Sequence, residues 1–218
     1  MLPESLWRKQ PHQLLKFTRF IVKTMNSIIL ASKSKVRKDI LNSNGIECKV
    51  VPSNVDEDSI KTSLLKQNAS PEIISKNLAE LKANKISAKF KDELVIGADS
   101  VIDLNGKIIS KPLDRNQALE ILKSLNGKSH SLISSVCISK GGSMIWNYTD
   151  KAELLMKKFE LKELKIYLSK ISDEALYAYN VYQIEGIGKT LFSEIKGDND
   201  TIMGLPIKKI KEYLLNFS

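Results

Sequence analysis

The sequence predicts an α/β or α+β domain built on a mixed β-sheet, and three observations carry that prediction. Short apolar runs alternate with stretches of helical periodicity, as in Ile28-Ile29-Leu30-Ala31 followed by the segment from Val36 to Ser43. Two glycine turns, Asn105-Gly106 and Gly141-Gly142, each sit between apolar runs and read as hairpins. Helix-start signals recur at Ser70-Pro71 and at Asp114 with Gln117, a capping-box pair. No internal repeat is visible.

The elements follow in order from Ser27. The first strand leads through Ser32-Lys33-Ser34-Lys35 into a helix over 36–43, with Gly45 at the left-handed position beyond its end. Cys48-Lys49-Val50-Val51 reads as a strand stopped by Pro52, and Val55-Asp56-Glu57-Asp58 as an acidic loop. Ile73, Ile74, Leu78, Leu81 and Ile86 mark a helix over 72–89. Leu94–Ile102 is an apolar run with the turn Asn105-Gly106 after it. Ala118, Ile121, Leu122 and Leu125 form one face of the next helix, ended by Gly127. Leu132, Ser134, Val136 and Ile138 alternate along a strand that turns at Gly141-Gly142 into Met144-Ile145-Trp146. A further strand over 152–159 and a helix over 163–169 complete the regular part.

Charge and composition narrow the function classes. The 218 residues hold 34 Lys and Arg against 25 Asp and Glu, a formal charge of +9. Part of that excess lies in residues 1–26, in Arg8, Lys9, Lys16, Arg19 and Lys23. The rest is spread along the chain with no basic block or interleaved aromatics, so stable nucleic-acid binding is not expected, while an anionic substrate is favoured. No apolar run approaches a membrane span. Residues 1–26 read as an N-terminal extension, flexible or arising from an overcalled start at Met1 rather than Met25. The domain proper spans 27–218. Cys48 and Cys137 are far apart and outside any CxxC pattern, which fits thiols in a reducing, cytoplasmic compartment.

The chemistry concentrates in Gly97-Ala98-Asp99-Ser100. A carboxylate inside an apolar strand is costly to bury, so it marks either an ion pair or a site for ions and ligands. The turn at Asn105-Gly106 folds the chain back and returns Lys111 toward Asp99. On spacing alone, a structural ion pair at a hairpin end and a catalytic carboxylate are equally good readings. Ser32 to Lys38 puts hydroxyls, lysines and Arg37 at a helix N-terminus, a site suited to phosphate, although the glycines of a P-loop are missing. Asp56-Glu57-Asp58 offers oxygen ligands for a hard cation, or is simply solvated. With only His12 and His130 present, a histidine-based triad is discounted.

Ordered blocks across residues 27–215 resemble the Maf family of nucleoside triphosphate pyrophosphatases. They are Ile29-Leu30-Ala31-Ser32 with Arg37, Val55-Asp56-Glu57, Glu80-Leu81-Lys82-Ala83, Gly97-Ala98-Asp99, Lys111-Pro112, Glu185-Gly186-Ile187-Gly188 and Gly204-Leu205-Pro206. Each block is short; their order and spacing together are specific. The resemblance implies an elongated α/β fold with a central mixed sheet and a deep cleft between two lobes. It implies hydrolysis of a nucleoside triphosphate to monophosphate and pyrophosphate with a divalent cation, Mg²⁺ or Mn²⁺, and a link to cell-division control.

By the same resemblance Asp99 is the proton acceptor, Ser32, Arg37, Lys82 and Lys111 contact phosphate, and Glu57 with Asp99 binds the metal. A homodimer is implied on the same ground. The chain departs from the family at three positions tied to base choice. Val36 replaces the first arginine of the usual Ser-Pro-Arg-Arg run, Ser100 stands where the dTTP/UTP branch carries Thr, and Glu185 where it carries Gln. Glu resembles the 7-methyl-GTP branch, and an ionised Glu only accepts hydrogen bonds, which suits a guanine edge. The combination points to a third group. The competing readings are an inosine/xanthosine triphosphate pyrophosphatase and a non-catalytic nucleic-acid-binding or septum-regulating protein on the same fold.

Overall fold

The computed structural model describes residues 27–173, 175, 176 and 180–217. The expected extension over 1–26 lies outside them.

Short strands and helices come first in the chain: β1 (Ile28–Leu30), α1 (Lys35–Ser43), β2 (Cys48–Val50), α2 (Glu57–Lys66) and α3 (Pro71–Ser87). The long central strand β3 (Leu94–Leu104) turns into β4 (Lys107–Ile109), then α4 (Arg115–Leu125), β5 (Ser129–Lys140) and β6 (Ser143–Met156) follow. The chain closes with α5 (Leu161–Ser169), a 3-10 turn over Ile187–Leu191, β7 (Phe192–Lys196), α6 (Asn199–Ile202) and α7 (Ile207–Asn216).

The strands form one seven-stranded mixed sheet in the order β2-β1-β3-β5-β6-β7, with β4 on the far end of β3. β1 lies parallel to β2 and β3, while β3, β5, β6 and β7 run antiparallel in turn. The expected mixed sheet flanked by helices is therefore what the chain forms. Both hairpins carry the left-handed residues their turns require, Asn105 and Gly106 at φ 54° and 83°, Gly141 and Gly142 at 59° and 87°.

One edge of β3 changes partner partway along, and the site grows from that change. β1 covers Leu94–Ile96 and β4 covers Ile102–Leu104, so among the described residues no strand lies beside 97–101 on that side. The apolar core divides at the same place. Ile96 and Ala98 pack with α1, α7 and Val136, whereas Ile102 packs with α4, α5 and Leu132. Two lobes thus share three long strands, with Asp99 at the join.

Three expectations are corrected. The acidic segment is not a loop: Asp56 caps α2 by accepting from the Ser59 amide at 3.1 Å, and Glu57 opens the helix. The segments read as separate strands at 144–146 and 152–159 are one strand, β6, which stops at Met156. The capping-box bond of Gln117 goes to the amide of Leu113 at 3.1 Å, one residue before the cap, while Asp114 accepts from Gln117 N.

His130 lies under the second lobe, buried between Tyr182 and Phe192, with Nε2 2.9 Å from the Tyr182 hydroxyl. Burial lowers its pKa to about 4, against 6.5 when exposed. The neutral ring is the folded form, so stability is full above pH 6.5 and falls as pH drops toward 4. The loss expected from this one group is about 3 kcal/mol. Denaturant melts across that range should show a flatter acid slope for His130→Gln than for the parent chain; equal slopes would assign the loss elsewhere.

Candidate active site

Asp99 is reached from α3, and a glycine makes the approach possible. A Cβ on Gly97 would lie 2.3 Å from the Ala79 carbonyl oxygen and 2.7 Å from the Ala83 amide. With only hydrogen there, α3 beds directly on β3 and delivers Lys82, which sits between those alanines in the helix. Its ammonium pairs with Asp99 Oδ1 at 2.7 Å and with Glu57 Oε1 at 2.9 Å. Ser70 caps the start of α3 and Pro71 occupies its first turn, fixing the helix register.

The two carboxylates settle differently. Asp99 is 4% exposed, and desolvation raises its pKa despite Lys82 and Arg37. Burial also pushes Glu57 upward, but Lys82, Lys61 and Arg37 outweigh it and hold it below the usual carboxylate range. Asp99 Oδ2 is buried and has no hydrogen-bond partner among the described residues. An orphaned carboxylate oxygen costs free energy unless something arrives to bond it.

Successive residues of β3 point to opposite faces, so Ser100 meets a different group from Asp99. That group is Arg37 on α1. Its Nε donates to Gly204 O at 2.9 Å, its Nη1 to Ala98 O at 2.9 Å and Ser32 Oγ at 3.3 Å, and its Nη2 to Ser100 Oγ at 3.1 Å. The Ala98 carbonyl is on the β3 edge that no strand covers, and the guanidinium takes the strand's place. Gly204 has φ 93°, and a Cβ there would stand 2.9 Å from Ser100 Oγ and 3.3 Å from Arg37 Nη2.

These groups line a cleft of about 620 Å³. The structure brings all nine candidate residues onto its wall: Ser32, Val36, Arg37, Glu57, Lys82, Asp99, Ser100, Lys111 and Glu185. Lys33, Lys35 and Lys61 join Arg37, Lys82 and Lys111, so six cations face three carboxylates. Lys111 has its pKa lowered, by desolvation first and then by the neighbouring cations Arg37, Lys61 and Lys82. The N-terminal turn of α1 lines the cleft and adds the positive end of its dipole. Such a wall is built for a polyanion.

An apolar group, Ile102, Ile109, Leu132, Ile184 and Ile202, also lines the cleft, together with Asn180, Gln183 and Glu185. A flat, partly polar group suits that lining. Lys61 belongs to the cationic wall and is hidden in the sequence while 55–58 reads as a loop; its i, i+4 spacing from Glu57 is the signal. Ser134 and Thr201, buried behind Ser100, were also missed, although Ser134 stands out as a hydroxyl in the apolar row 132–138.

A cleft with a cationic wall, a buried carboxylate and an apolar lining group defines a nucleotide-type phosphate site on an α/β fold. Comparison with known proteins narrows this class. Residues 27–217 match the family described as Maf-like protein. The chain is 73% identical over 190 residues to a nucleoside triphosphate pyrophosphatase of Pelagibacter ubique (strain HTCC1062), covering 87% of this chain and 97% of that protein. It is 34% identical over 180 residues to a 7-methyl-GTP pyrophosphatase of Rhizobium etli, covering 83% and 90%. In fold it is similar to a HAM1 protein from Coxiella burnetii, with TM-score 0.50, 11% identity, and coverage of 88% of this chain and 100% of that one. The chain belongs to the Maf-like family.

Proposed function

We propose that the cleft hydrolyses nucleoside triphosphates to the monophosphate and pyrophosphate. The observation that carries this reading is the Asp99 carboxylate, buried with one unbonded oxygen beside a wall of cations. The relatives named nucleoside triphosphate pyrophosphatase support it, as with the Pelagibacter protein and a Ruegeria sp. protein at 38% identity.

In this mechanism water attacks the α-phosphorus in line. The new oxygen–phosphorus bond forms as the bond to the α,β-bridging oxygen breaks, and Asp99 takes the proton the water loses. Its raised pKa suits it to that task. Lys82 holds the carboxylate oriented through Oδ1, leaving Oδ2 for the water. Arg37, Lys111, Lys61 and Ser32 neutralise and bind the phosphate oxygens, whose charge grows on the departing pyrophosphate.

A divalent cation fits the donors present. Glu57 is held ionised and stands beside Asp99 on Lys82, and a hard ion takes one or two carboxylates together with substrate phosphates and water. Among the described residues no cluster of three His, Cys, Asp or Glu side chains gathers, which suits an ion shared with the substrate. Bound there, Mg²⁺ or Mn²⁺ would supply charge neutralisation of the triphosphate.

Base choice falls to the rest of the cleft. Glu57 and Asp99 are engaged with Lys82, which leaves Glu185 as the carboxylate available to a base. A carboxylate accepts from guanine N1–H and its exocyclic amine, and it attracts a cationic base such as 7-methylguanine. The Rhizobium relative's name agrees with that preference. A panel of standard and modified triphosphates, assayed for pyrophosphate release with Mg²⁺ or Mn²⁺, should rank guanine bases first. Glu185→Gln should cut that preference about tenfold, one hydrogen bond to a charged group. Strong preference for dTTP or UTP would defeat the guanine assignment, and no turnover of any triphosphate would defeat the function. A cytoplasmic homodimer that removes non-standard or surplus nucleotides completes the proposal. Among the described residues no helix is long and apolar enough to cross a membrane.

A further inference from the structure

Ser100 and Ser134 face each other across β3 and β5, with their hydroxyl oxygens 2.8 Å apart. Each hydroxyl has one proton, and counting protons fixes the direction of every bond around them. Ser134 Oγ also lies 2.8 Å from the carbonyl oxygen of Thr201, which can only accept, so the Ser134 proton goes there. Ser100 must then donate to Ser134. The Ser100 oxygen is left to accept, and it accepts from Arg37 Nη2 at 3.1 Å. Ser134 and Thr201 are 0% exposed, so this arrangement is set inside the protein rather than by solvent.

The chain of bonds closes on itself. The Thr201 carbonyl also accepts from the Gly204 amide at 3.0 Å, and the Gly204 carbonyl accepts from Arg37 Nε at 2.9 Å. Arg37 is therefore gripped from both sides by one ring running through Ser100, Ser134, Thr201 and Gly204. With Ala98 O and Ser32 Oγ on Nη1, four of its five N–H groups are committed to the protein. Among the described residues one Nη2 N–H is left for a ligand.

We propose that Ser134 is a positioning residue for the pyrophosphatase site, orienting Ser100 so that the ring aims the last Arg37 N–H at the triphosphate. The proposal rests on the reading of the cleft given above. It also moves Ser100 from base selection to the orientation of Arg37, since its only proton is committed within the sheet.

The test measures kcat and KM for Ser134→Ala and Ser100→Ala, each with Arg37 and with Arg37→Ala, on GTP and UTP, beside thermal melts. Ser134→Ala is expected to lower kcat about tenfold, as for one lost orienting hydrogen bond, with KM changed less than about twofold. The factor should be the same for both bases, and it should vanish when Arg37 is already Ala. The melting temperature should shift equally in the two backgrounds. Ser100→Ala should behave alike, which covers a Ser134→Ala chain that fails to fold. Equal losses with and without Arg37, or a change in GTP-to-UTP preference, would overturn the positioning role. Full pyrophosphate release by Arg37→Ala alone would overturn the site reading and the ring with it.

Discussion

Asp99→Asn is expected to lose pyrophosphate release by about a thousandfold in kcat while the protein stays folded and no less stable. Asn preserves the shape and keeps a carbonyl oxygen toward Lys82, but it cannot take a proton from water. The stability half follows from linkage. The Asp99 pKa is raised in the fold, so the folded state favours the protonated group and loses stability as pH rises from its ordinary range through the raised value. Where the side chain is ionised in the fold, its charge is therefore a burden that a neutral amide removes. Lys82 keeps its second partner, Glu57, and is not left unpaired. Steady-state kinetics and a denaturant melt on one preparation check both halves. An active Asn variant would sink the catalytic role, and a strongly destabilised one would make Asp99 a structural partner of Lys82. An inactive, stable variant separates the two readings that spacing alone left equal.

Much of this centre was legible because its signals are local. A carboxylate in Leu94–Ile102 is visibly out of place, Asn105-Gly106 announces the hairpin, and Ser70-Pro71 announces the helix that bears Lys82. What was lost depends on residues distant in sequence. Asp56 looks like part of a solvated acidic run until its side chain caps Ser59 N, and then Glu57 and Lys61 become helix neighbours on one wall. β6 reads as two strands because Asn147, Thr149, Asp150 and Lys151 interrupt its apolar pattern. In the sheet Thr149 pairs with Ser135 across β5, and Asp150 accepts from Thr201. Likewise Arg37 reads as a phosphate ligand at a helix start, with nothing nearby to reveal that Gly204, 167 residues on, holds it. Polar groups that stabilise one another across a sheet leave no periodic trace in either segment.

Gly97 is where the local and the distant meet, and Gly97→Ala should be among the most damaging small substitutions in the chain. Gly97 is in extended backbone with no left-handed φ, so the added methyl causes no backbone strain of its own. The conflict is steric and falls on main-chain atoms, the Ala79 carbonyl oxygen at 2.3 Å and the Ala83 amide at 2.7 Å. A flexible side chain could turn aside, but a helix backbone can only retreat as a body. Overpacking of this kind costs roughly 3 kcal/mol or more, a fall of about 10 °C in Tm for a domain this size. Retreat of α3 also withdraws Lys82 from Asp99, so activity should fall further than stability alone explains. A second change separates backbone from side-chain conflict. The Ala83 Cβ would lie 2.9 Å from the new methyl, and Ala83→Gly removes it. If the Ala79 carbonyl is what blocks α3, the double variant recovers nothing and loses about 1 kcal/mol more from glycine in a helix. Recovery of Tm in the double variant would show instead that the Ala83 methyl sets the distance between α3 and β3.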